Sequence, residues 1–184
     1  MDEIPTVKLV AVGYTSEGKT SMFITYTSHD FPTGYIPVVF DSYAEYKQTS
    51  HGQSVLLQLW DICGGPDANE RLRPLGYPNT NVFLLCYSVD TQHFQNMKTV
   101  WYAELQSYCP DVPVILVATK TDLRDNVNVT NAFTMQQGKK MAEEINAMYY
   151  MEISSIRGEG LDKLFQRAID IGYAHSMKDS GMKQ

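Results

Sequence analysis

Nearly unbroken apolar runs alternate along the chain with stretches in which apolar residues recur at helical spacing. Val82 to Tyr87 and Val114 to Ala118 are almost wholly apolar, as strands covered on both faces are. The stretch between them, Thr91 to Tyr108, has its apolar residues at the spacing of one helix face. This alternation predicts an α/β fold, with a mostly parallel sheet and helices on both of its faces.

The rest of the chain continues the same alternation. Further strands are expected at Val7–Val12, Val38–Tyr46, Ser54–Trp60 and Tyr149–Ile153, and further helices at Lys19 to about Ser28, Thr134–Ala147 and Leu161 to about Tyr173. Ligands of such sheets bind at the carboxyl ends of the strands. The residues that follow each strand are therefore the candidates for chemistry.

Length and charge narrow the classes of function. The chain has 184 residues, of which 43% are hydrophobic, and a net charge of −6 without any lysine-rich run. Binding to a phosphate backbone needs clustered Lys and Arg, so nucleic acid is not expected as a partner. The length predicts a single domain over residues 1–184, with its core at about 5–176 and a short C-terminal tail.

Cysteine spacing and the absence of long apolar windows bear on the compartment. Cys63, Cys86 and Cys109 lie far apart and lack CxxC spacing, which indicates reduced thiols rather than a disulfide or a metal site. No window reaches the roughly 18 apolar residues of a membrane span, and Met1 to Pro5 does not resemble a signal peptide. We expect a cytoplasmic protein.

One glycine-rich segment carries the strongest chemical signal. Gly13 to Thr20 fits the pattern G-x-x-x-x-G-K-[ST] and stands after a strand and before a helix, as a phosphate-binding loop requires. Its backbone N–H groups and the helix N-terminus would bind phosphate. Lys19 would reach the β and γ phosphates, and the Thr20 hydroxyl would coordinate Mg²⁺. Glu17 is expected to point outward to solvent, because the loop uses only its backbone N–H.

Polar residues follow three other predicted strands. Asp61 suits a second Mg²⁺ contact, usually through water, and the Gly64 N–H could bond a γ-phosphate. Asp122, in the segment Thr119 to Asp122, could accept two N–H bonds from a guanine edge, which adenine does not offer. The stem of Lys120 would lie over the base. A backbone N–H in the pair Ser154–Ser155 could reach the guanine carbonyl.

With these motifs in this order, the chain resembles the small GTPases of the Ras superfamily and, among them, the Rho family. The segments that carry the Rho resemblance are Phe31 to Phe40, Arg71 to Pro78 and the run VFLLCYSVD that ends at Asp90. The resemblance covers nearly the whole chain. It implies a P-loop small G-domain with a six-stranded, mostly parallel sheet flanked by about five helices on both faces.

The resemblance also implies ligands and site residues. The expected ligands are GTP or GDP with Mg²⁺, which Thr20 and Asp61 would hold. Phe31 should stack on the guanine. The expected nucleotide contacts are Thr15, Ser16, Glu17, Gly18, Lys19, Thr20, Ser21, Phe31, Tyr35, Gly64, Thr119, Lys120, Asp122, Leu123, Ser154 and Ser155.

Protein partners follow from the same resemblance. Switch I would span about Tyr35 to Tyr43 and switch II about Asp61 to Pro78, and effectors would bind these segments when GTP is loaded. Exchange factors, GTPase activators and dissociation inhibitors would control the protein, which is expected to be a monomer. The expected effector face comprises Val39, Phe40, Asp41, Tyr43, Leu72 and Leu75.

The chain departs from the family where hydrolysis is supported. Thr15 replaces a glycine beside the γ-phosphate and should crowd the attacking water, and Gly65 replaces the glutamine that orients that water. Losing such a group typically costs ~10²–10³ in rate, so no residue is assigned a catalytic role. Either the protein binds GTP and hydrolyses it poorly, or it cycles ordinarily because an activator or a neighbour such as Asn69 or Glu70 substitutes.

Other departures concern switch I, a helix and the C-terminus. Val38 replaces the threonine whose hydroxyl completes Mg²⁺ coordination in the GTP state, so switch I is expected to close weakly on GTP. The segment after Asp122 is several residues shorter than in typical Rho proteins, so the extra family helix should be reduced or absent. Ser180 to Gln184 contains neither a C-a-a-X box nor a polybasic run. Membrane association is expected only if a lipidated C-terminus is missing from the sequence.

Overall fold

The structure, a computed structural model, describes residues 4–34, 41–62 and 72–181. Within these ranges one sheet has the strand order β2-β3-β1-β4-β5-β6. All neighbouring strands run parallel except β2 and β3, which are antiparallel. The strands are β1 (Thr6–Val12), β2 (Asp41–Gln48), β3 (Ser54–Asp61), β4 (Val82–Ser88), β5 (Val114–Thr119) and β6 (Tyr149–Glu152). The predicted six-stranded, mostly parallel α/β sheet is confirmed.

Four α-helices lie in the described ranges, where about five were predicted. They are α1 (Lys19–Ser28), α2 (Ala103–Tyr108), α3 (Met135–Glu144) and α4 (Leu161–Gly181). A π-helical turn, Met97–Tyr102, leads directly into α2. The segment between β5 and α3 contains only the short 3₁₀ turn Thr121–Asp125, which agrees with the short spacing there. No helix in the described residues is both long and apolar enough to span a bilayer.

Several element boundaries differ from the sequence prediction. The helix expected from Thr91 begins its regular turns only near Met97, because residues 91–95 form hydrogen-bonded turns instead. Helix α3 starts one residue after Thr134, whose side chain accepts from the backbone of Gln137 in a capping box. Helix α4 continues to Gly181 rather than ending near Tyr173. The predicted start of β2 at Val38 lies outside the described residues.

The sheet separates two apolar clusters, one on each face. Side chains of β1 alternate between them: Val7 and Leu9 join the cluster with α1 and α4, whereas Val10 and Val12 join the cluster with α2 and α3. Strands β4 and β5 are buried along their whole length, as parallel strands between helix layers are. Helices therefore cover both faces, as predicted.

The parallel register brings the ends of the strands to one edge. Ala11 lies opposite Asp61 on β3, and Ser88 on β4 lies opposite Thr119 on β5. The segments that follow β1, β3, β4, β5 and β6 therefore emerge on the same side of the molecule. The motifs read from the sequence meet at this edge because the pairing of the strands aligns their carboxyl ends.

Candidate functional site

The phosphate loop leaves β1 at a glycine that no other residue could replace without a shift. Gly13 has φ 139°, and a Cβ there would lie 2.2 Å from the backbone oxygen of Cys86. Ser16 and Gly18 also have positive φ, 66° and 82°, a conformation that is costly for serine and free for glycine. Gly18 then caps the N-terminus of α1. The loop thus curls tightly between strand and helix, as a phosphate-binding loop does.

Lys19 lies over this loop. Its side chain is 6% exposed, and its Nζ donates hydrogen bonds to the carbonyl oxygens of Gly13 at 2.9 Å and Tyr14 at 2.6 Å. These carbonyls hold the ammonium group against the concave loop instead of letting it extend into solvent. The cation is therefore in place for phosphate oxygens bound by the loop.

The expectation that Glu17 points outward to solvent is wrong. Glu17 is 5% exposed. Its carboxylate accepts hydrogen bonds from the backbone N–H of Ser88 and, at 2.6 Å, from the hydroxyl of Thr91. The side chain turns inward because the end of β4 offers it two donors. The sequence gave no sign of these donors, since they lie more than seventy residues away along the chain.

The two residues expected to hold the metal ion are in direct contact. The hydroxyl of Thr20, at the start of α1, donates a hydrogen bond to a carboxylate oxygen of Asp61, the last residue of β3. Asp61 is largely buried, at 8% exposed. Hydroxyl and carboxylate oxygens are ligands that Mg²⁺ takes, so these two residues fit the ion.

A cavity of about 190 Å³ adjoins the phosphate loop. It lies between the first turn of α1, the segment after β5 and the segment after β6. Its lining consists of Gly18, Ser21, Phe31, Thr119, Lys120, Asp122, Ser155 and Ile156. All of these except Ile156 were expected as nucleotide contacts.

The polar residues of this cavity are held by hydrogen bonds among the loops. Asp122 accepts a hydrogen bond from the hydroxyl of the fully buried Ser154 at 2.6 Å. Lys120 has φ 55°, and its Nζ donates to the carbonyl oxygen of Ser16 at 2.7 Å. The Thr119 hydroxyl donates to the carbonyl oxygen of Glu17 at 2.6 Å. The base segment and the phosphate loop are thereby joined into one unit.

Other predicted contacts lie elsewhere or outside the described residues. Leu123 packs against the apolar cluster on the α2–α3 face and does not line the cavity. Thr15 and Ser16 are exposed on the phosphate loop. Tyr35 and Gly64 lie outside the described residues, as do Val38 and Gly65.

A polar network behind the base segment was missed by the sequence reasoning. Arg124 donates to both carboxylate oxygens of Glu152, at 2.8 and 2.7 Å, and also to the Phe133 carbonyl oxygen. Tyr150 donates to the same carboxylate at 2.6 Å. Burial opposes ionisation of Glu152, but the hydrogen bonds from Arg124 and Tyr150 outweigh it and hold the pKa of this carboxyl below its usual value. The network fixes the 3₁₀ turn Thr121–Asp125 to β6.

The described part of the predicted switch II segment is anchored by a buried cation. Arg73 is 3% exposed, pairs with Glu104 on α2 and lies over the ring of Trp101 at 4.4 Å. Next to it, Leu72 and Leu75 are 58% and 74% exposed. The anchor therefore presents two leucines to solvent on a short, fixed turn.

A larger groove, of about 700 Å³, lies at the other edge of the sheet. It is lined by residues at the start of β5 and β6 and by one side of α4. None of the expected contacts lines it. Because it is remote from the strand ends that carry the motifs, we place the functional site at the smaller cavity.

Known proteins similar to this chain agree with that placement. Residues 8–172 match the Ras family, a stretch that includes the phosphate loop and every residue of the smaller cavity. The chain is 44% identical to the Ras-like GTP-binding protein RhoL of Drosophila melanogaster over 164 residues, which are 89% of this chain and 85% of that protein.

Proposed function

The chain belongs to the Ras family of small GTPases, and from this premise we propose that it is a Rho-type protein that binds GTP and GDP with Mg²⁺ but hydrolyses GTP poorly. Guanine-nucleotide binding follows from membership of the family. The Rho type, the metal, the slow hydrolysis and the partners are the parts that we propose.

The residues of the site support binding through separate contacts for phosphate and base. Backbone N–H groups of the phosphate loop and the ammonium of Lys19 would hold the phosphates. Phe31 would stack on the guanine, and the Asp122 carboxylate, oriented by Ser154, would accept its N–H groups. Adenine lacks these donors, so Asp122 would set the preference for guanine.

Thr20 and Asp61 would hold Mg²⁺. Their direct contact brings a hydroxyl and a carboxylate oxygen to one point beside the phosphate loop. The ion, when bound, neutralises charge on the phosphates. The chain's own part is to fix these two oxygens at the end of β3 and the start of α1.

The observation that carries slow hydrolysis is the pair of replacements at the hydrolytic centre. Thr15 places a branched, exposed side chain on the phosphate loop, where the family has a glycine, and Gly65 has no side chain with which to orient water. The residues for binding are retained at the same time. We therefore propose a protein that engages effectors in its GTP-bound form and is governed by abundance or modification rather than by a rapid cycle.

The deciding experiment is to identify the nucleotide on the purified protein and then to measure release of γ-phosphate in a single turnover. We expect bound GTP to persist for hours. A rate like that of an ordinary Rho protein would instead establish the second candidate, a cycling GTPase in which a residue such as Asn69 or Glu70 compensates. Repeating the assay with Asn69→Ala and Glu70→Ala would then identify the compensating group.

The weak closure of switch I is tested separately through Val38. Affinities for GDP and for a non-hydrolysable GTP analogue are measured over a range of Mg²⁺ concentrations in the wild type and in Val38→Thr. The proposal expects Mg²⁺ to strengthen analogue binding more in Val38→Thr, because only threonine adds an oxygen ligand. An equal gain in both proteins contradicts it.

A further inference from the structure

The side chain of Glu17 is the feature of this site that nucleotide binding itself leaves unexplained. It belongs to the phosphate loop, yet it does not line the cavity of that loop. Its carboxylate is buried and bonded to Ser88 and Thr91, on the turn that follows β4. Burying a carboxylate is costly unless hydrogen bonds compensate, and here the two donors do so.

The loop that carries Glu17 needs to be held in shape from outside. Its preceding residue, Ser16, has φ 66° without being glycine, and such a conformation persists only where the surroundings impose it. On one side, Lys120 and Thr119 bond the carbonyl oxygens of Ser16 and Glu17. On the other side, the bonds come through the Glu17 carboxylate.

The turn after β4 is itself firmly attached to the rest of the loop. Tyr14, near the start of the phosphate loop, accepts a hydrogen bond from the Asn96 amide at 2.8 Å. The Tyr14 ring also packs against His93 at 4.7 Å and Trp101 at 5.3 Å between ring centroids. Residues 88–96 thus form a platform beneath the phosphate loop, which Glu17 and Tyr14 contact from above.

From these contacts we propose that Glu17 is a positioning residue that retains the nucleotide by bonding the phosphate loop to the platform of residues 88–96. The inference rests on the proposed nucleotide binding. Release of a nucleotide requires the loop N–H groups to lose their arrangement around the phosphates. The bonds from Ser88 and Thr91 to the carboxylate oppose that loss, so they slow dissociation.

The test compares Glu17→Met, which removes both acceptors at similar length, with Glu17→Gln. The glutamine amide keeps the shape, since its oxygen can accept from the Ser88 N–H and its NH₂ can donate to the Thr91 hydroxyl. Dissociation of a fluorescent GDP analogue is followed after addition of excess GDP. We expect Glu17→Met to dissociate about tenfold faster or more, as for a lost hydrogen bond to a charged group, and Glu17→Gln to stay within about threefold of the wild type.

A variant outside the phosphate loop completes the test. Thr91→Val removes one of the two bonds and should accelerate dissociation by about threefold to tenfold. The double variant Glu17→Met/Thr91→Val should be no faster than Glu17→Met, because the partner is already lost. Thr99→Val is the matched control, since the Thr99 hydroxyl bonds only the Gln95 carbonyl on its own helix.

A second readout separates positioning from a general loss of stability. The ³¹P resonance of the β-phosphate of bound GDP reports the loop N–H groups around it, and a change in unfolding free energy alone does not move it. We expect the resonance to shift in Glu17→Met, to stay near its wild-type position in Glu17→Gln, and to be unchanged in Thr99→Val.

The outcomes distinguish this inference from the function on which it rests. If the wild type binds no GDP, the proposed function fails. If it binds GDP but Glu17→Met releases it at the wild-type rate with an unshifted resonance, the positioning role is wrong. Equal acceleration in Glu17→Gln and Glu17→Met would also overturn it, because charge rather than the two bonds would then control release. Should Glu17→Met fail to fold, Thr91→Val decides: an unchanged rate contradicts the proposal.

Discussion

The guanine side of the proposed nucleotide site is held far more completely than the γ-phosphate side. On the guanine side, Asp122, Lys120 and Thr119 each make a hydrogen bond to a neighbouring loop. On the γ-phosphate side, Thr15 is exposed at the tip of the phosphate loop. The other two replacements, Val38 and Gly65, lie in segments beyond the described residues.

This difference shows that holding a nucleotide and hydrolysing it depend on separate groups. The base is recognised by side chains that other loops pre-orient, so their geometry does not depend on the switches. Hydrolysis needs a water placed by a side chain and an open phosphate loop beside it. A chain can therefore lose the second set of residues while the first remains intact.

The largest effect is expected when the hydrolytic residues are restored. In Thr15→Gly/Gly65→Gln we expect single-turnover release of γ-phosphate to rise on the order of 10²- to 10³-fold, because a water-orienting group returns and space is opened for it. GDP affinity should stay within about threefold of the wild type. Phosphate release and GDP affinity are measured on the same preparation. If release does not rise while GTP remains bound, the proposed cause of slow hydrolysis is wrong.

The next largest effect concerns the guanine side. Asp122→Ala should weaken GDP affinity by roughly 10²-fold, because a carboxylate that accepts two N–H bonds is lost. Asp125→Ala is the matched control in the same 3₁₀ turn. Its carboxylate pairs with Arg157 in an exposed salt bridge, so its loss should change GDP affinity by less than about twofold. Equal weakening in both variants would contradict the role of Asp122 in base recognition.

A smaller effect, on stability, is expected from the network behind the base segment. The lowered pKa of Glu152 means that its ionised form stabilises the folded protein above the unfolded-state pKa, about 4.3, and that this contribution is lost as pH falls through the lower folded-state value. At pH 7, Glu152→Gln should reduce the free energy of unfolding by about 1–3 kcal/mol.

The measurement for Glu152 is urea unfolding at fixed GDP concentration over a range of pH. The difference between wild type and Glu152→Gln should shrink as the pH falls below the unfolded-state value. Glu144→Gln serves as the control, since Glu144 forms an exposed pair with Lys98 and should change stability little at any pH. A difference for Glu152→Gln that does not depend on pH would contradict the lowered pKa.

The smallest effect on the site itself is expected at the exposed turn beside Arg73. Leu75→Ser should change the free energy of unfolding by no more than about 0.5 kcal/mol, because the side chain is 74% exposed. GDP dissociation should be unaltered as well. If Leu75→Ser accelerated GDP release severalfold, the turn would be coupled to the nucleotide site, and the separation between the two sides would be less complete than proposed.

The sequence by itself determined the sheet and the place of the site. Val82 to Tyr87 and Val114 to Ala118 announce buried parallel strands, and Gly13 to Thr20 announces a tight loop before a helix. These features depend on local periodicity and on glycine positions, which neighbouring residues along the chain decide. Since parallel strands end at a common edge, the motifs after them could be expected to meet without any knowledge of the contacts.

Only the tertiary structure decided which way individual side chains turn. Glu17 is buried because the end of β4 offers it a backbone N–H and a hydroxyl, and Glu152 is bound by Arg124 and Tyr150 behind the base segment. Ile156 enters the cavity through the path of the segment after β6. Each of these outcomes rests on partners that are distant in sequence and brought close by strand order. Local pattern carries no information on such partners, because hydrogen bonding and burial depend on what the folded chain places nearby.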